Sequence, residues 1–206
     1  MNGKNHIMVD IETLHTKPDI GMMVEIAALR FNPDTFEPID EGFYTKLSLA
    51  KTRQIDPITL NWWARTIPDR LVEYLTEAPK ASFPERALKN FYRYCKRTED
   101  EEYSQAWLWA KPISFDISFI YSYMEEFLPR EDNPNVWKLF SRRRAIDVRS
   151  WMGGKGFNTD KLKSFNPPGM DESHHDPLFD CYEQLYTIKH NLELKGKLVV
   201  PNADSV

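Results

Sequence analysis

The run "HIMVDIET", His6 to Thr13, sets two carboxylates, Asp10 and Glu12, two positions apart among strand-forming residues. Side chains alternate across a strand with period two, so both acids point to the same face. On the core side such a pair is costly, because like charges that close raise each other's pKa and disfavour the folded state. Either the strand ends near Val9 and both acids hang in water, or a cation or a proton sits between them.

A chain of 206 residues suits a single domain with a sizeable core, here about residues 6–190 with a tail over 196–206. Hydrophobic residues at 41% and charged residues at 28% exclude disordered and fibrous classes. No apolar run reaches the roughly 18 to 20 residues of a membrane span, and "MNGKNHIMVD" lacks the apolar core of a signal peptide, so a cytoplasmic protein with no membrane partner is expected. Cys95 and Cys181 belong to no C-x-x-C pair and are expected as buried thiols. The net charge of −4 argues against a protein that coats a duplex electrostatically, but not against one that gathers acids around metal ions and grips a short strand end.

Residues 6–12, 24–32 and 41–47 read as three strands joined by turn-rich segments, an antiparallel opening to the fold. In "DPITLNWWART", Asp56 is placed as N-cap and Pro57 at the first helical position, giving a short helix with Trp62 and Trp63. "SFPERALKNFYRYCKR" has Ser82 and Glu85 in capping-box spacing, then Leu88, Phe91 and Cys95 along one face. "AWLWA", 106–110, reads as a buried strand and 115–128 as a helix stopped by Pro129. After the basic run Arg142–Arg144, "AIDVRSWM" is expected as the last strand. Gly153, Gly154 and Gly156 should then open a long loop, and a final helix over about 178–190 follows, with Asp176 as cap and Pro177 at its first position. Strands grouped first and βα units later indicate an α/β fold with a mixed central sheet flanked by helices.

Acids recur where elements begin or end: Asp10 and Glu12 on the first strand, Asp116 at a helix start, and Asp180 in the last helix. Asp116 alone would serve the helix dipole. Asp180 lies one step round the edge of the stripe Leu178, Cys181 and Leu185, and His175 stands five residues before it, ahead of the helix cap.

The order "DIET", "SFD", "HHDPLFD" resembles the three motifs of the DEDD superfamily, the DnaQ-like or ribonuclease-T-like 3′-to-5′ exonucleases, in the branch whose third motif contains histidine. Asp10 and Glu12 match its first motif, Asp116 the second and Asp180 the third. His175, rather than His174, has the spacing of the motif histidine. "VEIAALRF" resembles the family's second strand, with Glu25 matching its glutamate. The resemblance spans residue 6 to about 190 and is greatest to the exonuclease of T-even phages and its bacterial relatives. One departure is Pro112, where the second motif often carries Asn or His; Lys111 or Ser114 would have to replace that contact.

The resemblance implies a ribonuclease H-like fold and a metal-dependent 3′-to-5′ exonuclease. It would act on single-stranded 3′ ends, with DNA favoured over RNA, and release nucleoside 5′-monophosphates. Asp10, Glu12, Asp116 and Asp180 would hold two Mg²⁺ or Mn²⁺ ions, which suit hard oxygen ligands and stabilise the attacking and leaving oxygens of the displacement. His175 would take the proton of the attacking water. Trp62 and Trp63 are candidates for stacking on bases, with Thr13, Leu14 and Met22 beside the first motif and Phe115 beside the second. Arg142–Arg144 are either phosphate contacts or a solvated surface. An exoribonuclease of the same fold is the alternative within the class. Outside it stand an RNase H-like endonuclease, disfavoured by the His175 spacing, and a non-catalytic subunit that binds nucleic acid or a partner, disfavoured by the intact acids.

Overall fold

The acid-bearing run forms β1 (Asn5–Thr13), and the next expected strand forms β2 (Met23–Asn32), antiparallel to it, with Asp10 opposite Ala27 and Glu12 opposite Glu25. Along the other edge of β2 lie the two-residue β3 (Glu37–Pro38) and β4 (Phe43–Lys46), the latter being the strand expected over 41–47. β5 (Ala106–Ala110) pairs with β1 in parallel, and β6 (Phe140–Asp147) pairs with β5 in parallel. The sheet is therefore mixed, in the order β3-β2-β1-β5-β6 with β4 beside β2, as the strand grouping implied. This computed structural model describes residues 5–96, 106–162, 164–170 and 175–197; His174 and the tail "PNADSV" lie outside them.

Seven helices are described: α1 (Pro57–Thr66), α2 (Pro68–Glu77), α3 (Pro84–Cys95), α4 (Ile113–Phe127), α5 (Pro134–Leu139), α6 (Val148–Gly154) and α7 (Pro177–Leu194). β1 is covered on both faces. Ile7, Val9 and Ile11 share a core with Phe91 of α3 and Phe119 and Ile120 of α4. Met8, on the face of Asp10 and Glu12, shares another with Met152 of α6 and Cys181, Leu185 and Ile188 of α7. A third cluster joins Leu14 and Met22 to Trp63 of α1 and Leu71 and Tyr74 of α2. Both cysteines are free and buried, and among the described residues no helix is long and apolar enough to cross a membrane.

Two caps follow the sequence. Asp56 accepts the Thr59 N–H at 2.9 Å, and Asp176 accepts those of Leu178 and Phe179 at 3.0 and 3.1 Å, each followed by proline at the first helical position.

Four features differ from expectation. The last strand is 140–147 rather than 145–152, so Arg142–Arg144 lie on the edge strand. Asp147 ends that strand by accepting the Ser150 N–H at 2.8 Å, which caps α6 and places Gly153 and Gly154 inside a helix instead of a loop. Ser82 and Glu85 form no capping box, because Pro84 takes the first helical position and makes Phe83 the N-cap residue; Glu85 pairs with Lys89 at 2.6 Å. Finally, α2 had no sequence reading, although Pro68 starts it and Leu71 and Tyr74, three apart, bury one face.

Candidate active site

The C-terminal half of β1, the first turn of α4 and the first turn of α7 bring four carboxylates toward one region. Asp10 and Glu12 project on the α7 side of the sheet, where Gln184, one turn after Asp180, donates its Nε2–H to Asp10 Oδ1 at 3.1 Å. Asp116 is 4% exposed. Its helix starts where it does because Pro112 is the N-cap residue and Asp147, at the end of the neighbouring strand, accepts the Ile113 N–H at 3.1 Å. Asp147 thus supports the site from behind by fixing a helix start.

Burial opposes ionisation of this group, and each acid compounds it for the next. Burial, then Asp116, Asp180 and Glu12, holds the Asp10 carboxyl well above the usual range. Burial pushes Asp116 up to about 8 against the backbone amides of Asp116 and Ile11, and burial followed by the Glu12 charge pushes Asp180 up to about 7. Glu12 is also raised by burial, with His175 opposing. A cation among these acids would relieve their repulsion, and hard carboxylate oxygens are the ligands that Mg²⁺ or Mn²⁺ takes.

His175 faces them from the loop ahead of α7, in a left-handed backbone conformation with φ of 61°. Its Nδ1 lies 3.6 Å from Glu12 Oε1, and that carboxylate raises the imidazole above its ordinary pKa. Ligand atoms of Glu12, His175 and Asp180 all lie within 4.8 Å of one another, a spacing able to hold a metal ion. The Trp62 indole meets the His175 ring edge to face, with centroids 5.1 Å apart.

Behind Glu12 lies a polar network that the sequence reading did not find. Glu25 is 1% exposed; Tyr44 donates its hydroxyl to Oε1 at 2.9 Å and Arg70 of α2 approaches Oε2 at 2.6 Å. Burial still raises the Glu25 carboxyl to about 7. Arg70 also donates to the backbone carbonyl of His175 at 3.0 Å. The resemblance had marked Glu25, but with α2 unread nothing pointed to its partner.

The substrate-side candidates divide sharply. Trp62 is 42% exposed, and Phe115 is partly buried against Phe119. Leu14, Met22 and Trp63 are closed into the third core cluster and present no surface, a correction to their expected base contacts. Trp63 turns inward because its indole N–H donates to the Thr13 carbonyl at 3.1 Å, and buried Thr13 spends its hydroxyl on the His15 carbonyl at 2.7 Å. On the far edge of the sheet, the Arg142 guanidinium stacks 4.6 Å from the Tyr121 ring centroid and Arg144 lies 5.8 Å from that of Trp107.

Solved structures similar to this chain include Escherichia coli exonuclease I in complex with a dT13 oligonucleotide (TM-score 0.65, 14% identity, covering 95% of this chain and 42% of that one). They also include its complex with a dA16 oligonucleotide (TM-score 0.63, 13% identity, 95% and 42%) and a zinc-bound form of its complex with single-stranded DNA (TM-score 0.64, 13% identity, 95% and 42%). The likeness is one of fold, ribonuclease H-like as the sequence resemblance implied, and this chain spans less than half the length of those structures. No curated protein matches the sequence. The sequence does match, over residues 5–190, the family described as the 3′-5′ exoribonuclease Rv2179c-like domain, a span that runs from the start of β1 through most of α7 and holds all four acids and His175; the chain belongs to that family.

Proposed function

We propose that this protein is a metal-dependent 3′-to-5′ exonuclease of the histidine branch of the DEDD superfamily, acting on single-stranded RNA ends. The observation that carries this reading is the convergence of Asp10, Glu12, Asp116 and Asp180, with raised pKa values, together with the approach of His175 to Glu12 and Asp180. The four carboxylates would hold two Mg²⁺ or Mn²⁺ ions, which supply charge stabilisation to the attacking and leaving oxygens. His175 takes a proton from the water that attacks the terminal phosphorus. The P–O3′ bond to the penultimate nucleotide breaks, releasing a nucleoside 5′-monophosphate and a strand one nucleotide shorter. The Glu12 carboxylate favours the protonated imidazole, so base action by His175 strengthens as pH rises through its titration. Trp62, beside His175 and exposed, would stack on a terminal base, with Phe115 a second apolar surface next to Asp116.

RNA is favoured over DNA by the family's description, which names exoribonuclease activity. Single-stranded DNA is the second reading, supported by the resemblance to the T-even phage exonuclease and by exonuclease I, whose structures hold DNA oligonucleotides. The test is a time course with matched single-stranded RNA and DNA oligomers, labelled at the 5′ end, in Mg²⁺, in Mn²⁺ and in chelator. A metal-dependent ladder that shortens from the 3′ end, faster on RNA, is expected. Internal nicks would assign an endonuclease, faster loss of DNA would reverse the sugar preference, and tight binding without cleavage would make this a non-catalytic binding protein.

A further inference from the structure

His175 holds a left-handed backbone conformation. A non-glycine residue at φ 61° is uncommon and persists where its surroundings over-determine it. It precedes the α7 cap residue Asp176, so the start of the helix fixes the chain after it. A second hold comes from a different part of the fold. Arg70, in the first turn of α2, donates from Nη2 to the His175 carbonyl at 3.0 Å. The same nitrogen meets Glu25 Oε2 at 2.6 Å, and Nη1 lies 3.7 Å from Glu73 and 3.9 Å from Asp176.

Glu25 is a firm anchor. It sits directly across the β1–β2 ladder from Glu12, is almost wholly buried, and has its other oxygen taken by Tyr44. The guanidinium therefore links the strand beside the acid pair to the backbone of the histidine that must work above it. A planar fork with several fixed donors can satisfy a carboxylate and a carbonyl together, which a lysine ammonium on a flexible stem does poorly.

We infer that Arg70 is a positioning residue for the reaction: braced on Glu25, it clamps the left-handed backbone of His175 so that the imidazole stands over Glu12 and Asp180. The inference rests on the proposed function, because positioning matters only if His175 acts as base. Small displacements of a reacting group can lower turnover about 10²-fold, so the clamp should act on kcat rather than on substrate affinity.

The test compares wild type with Arg70→Lys, Arg70→Ala, His175→Ala and the double variant Arg70→Ala/His175→Ala. Arg70→Lys keeps the charge beside buried Glu25 and guards against simple misfolding. Both single Arg70 variants should lose roughly ten- to a hundredfold in kcat with KM unchanged, guanidinium added to Arg70→Ala should restore part of it, and the double variant should be no slower than His175→Ala alone. Wild-type kcat in Arg70→Lys, or a double variant slowed by the product of the two single losses, would overturn the clamp. The histidine ring proton NMR spectrum, with the His175 signal assigned by its absence in His175→Ala, gives a reading independent of turnover. That signal should move in Arg70→Lys while the other histidine signals stay in place. If wild type hydrolysed nothing, the proposed function would fall and this spectrum would still decide the clamp: an unmoved His175 signal refutes it.

Discussion

Asp10 and Glu12 are set in a strand packed on both faces, whereas His175, five residues before Asp180, stands on a loop with a left-handed backbone and an indole at its side. The acids are held close, because Asp10 and Glu12 are paired to β2, Asp180 lies in a helix first turn capped by Asp176, and Asp116 in one whose Ile113 N–H is held by Asp147. Burial first, and their mutual repulsion after it, appear as raised pKa values. His175, by contrast, depends on contacts that a few side chains supply. Rigid placement suits groups that must remain charged together around cations. Under the proposed function, the proton acceptor is held instead by side-chain contacts, Arg70 foremost, which single substitutions can adjust.

The first way to break the comparison is to remove charge from the rigid side. Asp10→Asn should abolish measurable hydrolysis while leaving the metal-free fold as stable as wild type or more so, because Asp116, Asp180 and Glu12 lose a like charge. Paired activity and thermal unfolding measurements check this, and full activity would remove Asp10 from the metal site. On the adjustable side, His175→Ala should lower kcat by roughly 10²- to 10⁴-fold, the usual contribution of a general base. Stability should change little, since the imidazole is partly exposed and its closest charged contact is the 3.6 Å approach to Glu12. Normal turnover would mean that another group activates water.

The same division explains what could be read from the sequence. The rigid side was legible because period two fixes the face of Asp10 and Glu12, and capping chemistry announces Asp176 and Pro177. His175 was legible only through motif spacing. Arg70 was not, since a surface arginine in an unread amphipathic stretch carries no local mark and gains its meaning from Glu25, 45 residues away. Trp62 and Trp63 are identical in composition and adjacent, so which of them faces the site depends on the helix rotation that burying Trp63 against Leu14 and Met22 imposes. β6 was misplaced because Asp147 can end a strand and cap a helix equally well, and local propensity does not say where one becomes the other.

The pH dependence of stability sharpens the contrast further. Asp116 at about 8, Asp180 at about 7 and Asp10 well above its ordinary value all have folded pKa values raised over those of the unfolded chain, near 4. The stability they contribute is complete below about pH 4 and is lost as pH rises through the folded values. Without metal, the midpoint of thermal unfolding should therefore fall between about pH 5.5 and about pH 8.5. Mn²⁺ should stabilise most at the upper end, where the acids are ionised, and in Asp10→Asn both the fall and the metal-induced rise should shrink. A metal-free midpoint that climbed across this window would contradict the repulsive acid cluster.

The smallest expected effect separates the two jobs of Trp62. Stacking of one base on an aromatic face contributes about 1 to 3 kcal/mol, so Trp62→Ala should raise KM for an oligonucleotide by roughly five- to a hundredfold if the exposed indole receives the terminal base. The same indole packs edge to face on His175 at 5.1 Å, a contact that could instead steady the base and show itself in kcat. Trp62→Phe keeps an aromatic face but shortens it, and so should recover KM more fully than kcat if both jobs are real. A loss confined to kcat in both variants would place Trp62 with Arg70, as part of the mount of His175, and leave the grip on the strand end to other surfaces such as Phe115.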